Sequence, residues 1–485
     1  MPLNVTAYER EAEQLNEELM REGLLTGTGE KETYEVREIY ARHAHLFEPD
    51  NVRARLEERG DTRTLNLADF AVEGHIGLRL AEDSERLVNA ELQATVRLNG
   101  QEAPYRSAPV MIQNQEDRQR RLEWDRAYCV VMESLNPLYS EIWTRTRQIA
   151  VELGFGDYRS MCDELGRLRL DWLRGAAEQI LQATAPGWTE RVARVLESVG
   201  ASAEDGTTAD ISHFMRARRF DDAFPAERLL VCLKETLAGL RIRMEEQANL
   251  HLDIEDRPLK SPRAFCAPVR VPDEVWLVIK PHGGQDDYNS LLHEAGHAEH
   301  FTHVDGRLPF ALRALGDTSV TETYAFLFNN LLFNERWLTR HLGRRDWSEF
   351  LEFNRFCETW MLRRYCAKLL YELEMHSLDE ERARRLYVET LGKHLRVRIN
   401  PERFLADVDE GFYVAQYLRA WMLEAQLRSV LERDFGPEWF AEPGAGEMLK
   451  GLWALGDSLD APALAEKLGE NGLCPDALIG SLMDN

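Results

Sequence analysis

The stretch that decides the fold runs from Tyr288 to Phe301 and reads YNSLLHEAGHAEHF. Five ionisable side chains, His293, Glu294, His297, Glu299 and His300, stand here among apolar neighbours. At about 3.6 residues per turn, the four-residue step from His293 to His297 puts both imidazoles on one helical face, one turn apart. Two imidazoles so placed suit a single ion. A solvated, polar turn of helix is the plain alternative.

Glu294 sits beside the first histidine, where it reaches a water on a bound ion without itself being a ligand. This is the H-E-x-x-H spacing of zinc peptidases. Zinc lowers the pKa of its water towards about 7, and the neighbouring glutamate then accepts the proton as water attacks a carbonyl. Such a centre takes three protein ligands and keeps one position open. Downstream, LRALGDTSVTETYAFLFNNLLF (312–333) supplies Glu322 at the start of an apolar helical run. A carboxylate embedded there is costly unless paired or coordinated; the residues alone allow either a ligand or a carboxylate capping the helix that follows. His300 shares the face of His293 and reads as a packed core histidine or an outer partner of the ligands, with His303 rotated further round.

The remainder of the chain sets the frame. Its 485 residues suffice for two or three domains or one large enzyme body, and 44% hydrophobic with 29% charged residues is ordinary globular composition. A net charge of −25 with no sustained basic run argues against nucleic acid as a partner. The opening MPLNVTAYEREAEQLNEEL has neither the basic nor the apolar part of a secretory leader, and no run approaches the roughly 20 apolar residues of a membrane span. Seven dispersed cysteines without a C-x-x-C pair read as reduced thiols. The expectation is a cytoplasmic protein that neither enters membranes nor binds nucleic acid.

Helical periodicity dominates, in REIYARHAHLF (37–47), in 120–153, in RLLVCLKETLAGLRIRMEEQANL (228–250), from about 347 to 389, and in 414–435. ATVRLNGQEAPYR alternates around Asn99-Gly100, a hairpin signal. EVWLVI (274–279) is β-branched and aromatic and reads as a short strand. It would suit an extended peptide adding alongside as a further strand, with Gly283 and Gly284 allowing close backbone approach; a plain buried strand followed by a glycine turn is the alternative. The chain divides provisionally into 1–105, helical with the hairpin, 106–255, helical, and 256–485, carrying the histidine motif.

With these residues in view, the chain resembles the zinc metallopeptidases that include thimet oligopeptidase and oligoendopeptidase F. HEAGHAEH is similar to that family's H-E-x-G-H-x-x-H, and Glu322 follows His297 by 25 residues, the spacing of the family's third ligand. Weaker similarity covers about 95–485. It includes FCAPVRVPDEVWLVIKPHGGQDDYNSLLHEAGH (265–297), RTRQIAVELGFGDYRSM (145–161), VRLNGQEAPYR (96–106) and GLWALGDSLDAPALAEKLG (451–469). DVDEGFYVAQYLRAW (407–421) looks like the family's tyrosine block, with Tyr413 and Tyr417 on its first two tyrosines.

The resemblance implies a mainly α, multi-helix body of zincin type, with a small β element beside the motif helix and a substrate channel, to which 106–255 contributes wall. It implies one zinc per chain on His293, His297 and Glu322, with Glu294 as general base. Tyr413, and secondarily Tyr417, would donate to the developing oxyanion; without the motif, both tyrosines read as amphipathic core residues. Short oligopeptides would be the substrates. The chain also departs from the family. Its histidine before the tyrosine block falls on Val408, its third tyrosine on Ala420, and Ser319, Tyr324 and Ala325 replace residues around the third ligand. A zinc-binding protein that holds peptides, or serves as a scaffold, without cleaving them is the alternative.

Overall fold

The computed structural model describes residues 2–483. The first residue and the last two, at the ends of the terminal ranges expected above, lie outside the described residues. The chain is mainly α, as expected. Its contacts divide it into two compact units of interleaved segments. The first comprises the chain as far as Leu78 with Arg218–Asn354 and Arg419–Ser481; the second comprises chiefly Arg79–Ala217 and Arg355–Leu418.

In the second unit, strands β1 (Thr95–Leu98) and β2 (Gln101–Pro104) form the expected hairpin. Asn99 and Gly100 both take positive φ, 50° and 80°, as a tight two-residue turn of this hand requires. The hairpin lies on the long helix Arg118–Glu152, where Val96, Ala103, Tyr105, Trp124, Tyr128 and Met132 form one apolar cluster. The Tyr105 and Tyr128 rings stack 4.8 Å apart.

In the first unit, β3 (Leu250–Asp253), β4 (Phe265–Arg270) and β5 (Glu274–Val278) make a sheet in the order β3-β5-β4. β3 runs parallel to β5 and β4 antiparallel to it. The helix expected to extend over 228–250 stops at Gly239. Arg241 turns left-handed at φ 55°, and after a 3-10 turn over Met244–Glu246 the chain extends into β3. The amino-terminal helix Val5–Gly27 covers one face of β4, with Met20 and Leu24 against Ala267, Val269 and Val278.

Two helices carry the motif residues. The HEAGH helix spans Gln285–His303 and buries Tyr288, Leu291, Leu292, Ala295, Gly296 and Ala298. It packs on β4, on β5 and on the helix Thr318–Asn329, which buries Val320, Glu322, Ala325, Leu327 and Phe328. Each large apolar side chain so covered is worth about 1.5–3 kcal/mol. Gly296 lets the two helices meet: a Cβ there would stand 2.6 Å from Ala325 Cα and 2.8 Å from its N. Asp317 begins the second helix by accepting from Ser319 N at 3.0 Å and Ala461 N at 2.9 Å, and pairs with the buried Arg419 through 2.6 and 3.1 Å bonds.

Candidate metal centre

Because Asp317 caps its helix, Glu322 is released from that duty. It lies one turn in, 4% exposed, and faces the histidines. Its Oε2 stands 3.5 Å from His293 Nε2 and 3.8 Å from His297 Nε2. One donor atom from each of the three residues falls within 4.8 Å of the others. Four bonds of about 2.0–2.1 Å at tetrahedral angles place ligand atoms about 3.4 Å apart, so two imidazoles and a carboxylate at these separations fit a zinc-sized ion.

Burial pushes the pKa of His293 down and that of His297 well down. Both rings are therefore neutral at pH 7, the form in which imidazole binds a metal. Their outer nitrogens are engaged: His293 Nδ1 lies 2.7 Å from Asn329 Oδ1, and His297 Nδ1 lies 2.8 Å from Thr321 Oγ1. Glu294 is held from β4, where Cys266 N donates to its Oε2 at 2.8 Å. Burial raises the Glu294 carboxyl to about 7, that bond opposing the rise and the charge of Glu322 adding to it. The Cys266 thiol, pushed well up by burial, stays protonated.

His300 is fully buried, stacked on Phe301 and tilted against Tyr324, with its rings 5.2 and 4.9 Å from theirs; it is the packed core histidine. His303 bonds back to the Glu299 carbonyl.

Two sequence expectations are corrected. EVWLVI is the central strand, hydrogen-bonded on both sides, so it has no edge for a further strand; the sheet edge beside the HEAGH helix belongs to β4. Gly283 and Gly284 serve the chain's own packing. A Cβ on Gly283 would stand 2.9 Å from Ala226 N, and one on Gly284 2.8 Å from Asp221 Oδ1.

Tyr413 and Tyr417 belong to the second unit. Gly411 and Phe412, both at positive φ, turn the chain into the helix that Tyr413 opens. The Tyr413 and Tyr417 rings lie 4.8 Å apart, and Tyr417 stacks on Tyr365 at 5.3 Å. Both tyrosines are half-buried, whereas Val408 is buried and its neighbour Asp409 pairs with Lys368 Nζ at 2.7 Å.

The sequence reading missed Asn329, Thr321, the Cys266 N–H and the Asp317–Arg419 pair. A signal existed for Asn329: it follows Glu322 by seven residues, two turns along the same face. Among the described residues no helix is long and apolar enough to cross a membrane.

No protein-family profile matches the sequence, and no curated protein matches it significantly. Solved structures do match in fold. A Bacillus anthracis str. Ames protein described as an oligoendopeptidase F superposes with a TM-score of 0.59 at 16% identity, over 93% of this chain and 82% of that one. Trypanosoma cruzi metallocarboxypeptidase 1 superposes with a TM-score of 0.60 at 14% identity, over 99% of this chain and 100% of that one. The chain has the mainly α fold of these two proteins.

Proposed function

We propose that the chain is a zinc-dependent peptidase that hydrolyses peptide bonds in short oligopeptides. The observation that carries the reading is the convergence of His293, His297 and Glu322, with Glu294 one residue from the first histidine. His293, His297 and Glu322 would hold one zinc per chain, which when bound supplies Lewis acidity for a water and the scissile carbonyl. Glu294 takes the attacking water's proton on its carboxylate and passes it to the leaving amine. In the metal-free chain burial holds that carboxyl at about 7, the direction favourable to a group that both takes and returns a proton. The Cys266 N–H fixes one Glu294 oxygen and leaves the other for the water. The resemblance to the family's tyrosine block would give Tyr413, and secondarily Tyr417, the task of donating to the carbonyl oxygen as charge develops there. An extended substrate would align along the edge of β4, next to Glu294.

A second reading uses the same centre for trimming residues from the carboxyl end. It is favoured by the end-to-end correspondence with a metallocarboxypeptidase. Mass-spectrometric mapping of products from a defined peptide mixture separates the two: internal cuts support the first, stepwise loss of carboxy-terminal residues the second. Glu294→Gln run beside it should retain zinc and lose about 10²–10⁴-fold in rate. Undiminished turnover in that variant, or cleavage indifferent to a chelator, would sink both readings.

A further inference from the structure

The nitrogens of His293 and His297 that face away from Glu322 meet neutral groups, and the first of these contacts has a defined direction. Asn329 Nδ2 donates twice, to the Asn289 carbonyl and to Asn289 Oδ1, each at 2.8 Å. Both hydrogens of the amide are thereby used, so the group 2.7 Å from His293 Nδ1 is its oxygen, which can only accept. His293 Nδ1 must then carry the proton, leaving the Nε2 lone pair aimed at Glu322. Asn289 is one turn before His293 on the same helix, so Asn329 links the ends of two helices while orienting a ring on one of them. Thr321, immediately before Glu322, meets His297 Nδ1 at 2.8 Å. A hydroxyl both donates and accepts, so it accepts a hydrogen bond from Nδ1–H whenever the opposite nitrogen is engaged.

Carboxylates commonly occupy such positions behind metal-binding histidines, where their charge makes the imidazole a stronger ligand. Here the only carboxylate among the three candidate ligands and their two outer partners is Glu322. We propose that Asn329 and Thr321 are positioning residues that fix both histidines in the Nδ1-protonated form without adding charge, keeping the bound ion a strong Lewis acid at a cost in affinity. This rests on the zinc-peptidase reading above.

The test reads metal binding directly. Zinc affinity is measured by competition with a chromophoric chelator, and the ligand field from the visible spectrum of the cobalt(II)-loaded protein. Four variants are compared: Asn329→Leu, Asn329→Asp, Thr321→Val and Thr321→Ser. Leu and Val remove the acceptor and should weaken zinc binding about 10–100-fold and alter the cobalt spectrum. Ser should restore wild-type behaviour. Asp keeps an acceptor but cannot donate to Asn289; it should bind zinc at least as tightly as wild type and shift the acid limb of kcat to higher pH. If Asn329→Asp loses affinity as Asn329→Leu does, the residue merely ties the helices together and the proposal falls. It falls equally if Leu and Val bind zinc like wild type. A wild-type protein that binds zinc but cleaves no peptide removes the hydrolytic reading and leaves these affinities to be judged on their own.

Discussion

Gly296 lies directly against the Tyr324 carbonyl, where the HEAGH helix crosses the helix that bears Glu322. Backbone meets backbone here, so a methyl group has no flexible side chain to displace. The same contact sets the separation of the histidines from the carboxylate.

Gly296→Ala should therefore lower stability by about 1–3 kcal/mol, the usual cost of overpacking. It should also weaken zinc binding, because Glu322 moves with the displaced helix. Thermal unfolding with and without zinc checks both effects. A fully stable variant with unchanged affinity would mean that the helices are not held this closely.

The Asp317–Arg419 pair is buried at both ends. Burial alone would raise the Asp317 pKa, yet Arg419 and the surrounding hydrogen bonds hold it below the ordinary value. Asp317→Ala strands a buried guanidinium and uncaps the Glu322 helix, so the expected loss is about 3–5 kcal/mol by denaturant titration. Replacing both residues with apolar ones of similar volume should cost much less, since no unpaired charge remains.

Glu299 accepts from Gln247 at 2.9 Å in a fully buried setting, and burial pushes its carboxyl from 4.5 to about 7. The folded chain prefers the protonated form, so this group's contribution is complete below pH 4.5 and is lost as pH rises to about 7 and beyond. In metal-free protein, Glu299→Gln should melt progressively higher than wild type as pH is raised from about 5 to 8. A constant difference between the two across that range would contradict the raised value.

Tyr413→Phe removes one hydroxyl. If that hydroxyl donates to the oxyanion, kcat falls about 10²–10³-fold with little change in KM, zinc content or melting temperature. Unaltered kcat would return Tyr413 to the role of a packing residue.

What was legible in the sequence follows from the range of the interactions involved. The histidine pair is a local, period-bound pattern, and the Asn99-Gly100 turn is shorter still. The Glu322 capping alternative could be resolved only once Asp317 was seen two residues before Ser319 with its carboxylate on the backbone. Sheet order was out of reach: β3 is only four residues long and β4 carries Pro268 in its middle, and which of three short strands lies in the centre depends on pairing between distant segments. The neutral partner Thr321 was hidden for a related reason, since a polar residue one position before a ligand carries no local mark of what it will meet; Asn329 shares the face of Glu322, but that periodicity alone does not say that it will face a histidine.

The interleaving of the two units bears on how the molecule can be taken apart. Each is assembled from separated segments, and three of the four principal crossings fall inside the helices Thr62–Gln93, Ser348–Met375 and Tyr413–Phe435. No single scission of the polypeptide frees either unit whole. Truncation at those crossings would sever a helix and leave at least one unit short of a segment it needs, so dissection of this protein belongs to point substitution and not to the expression of pieces.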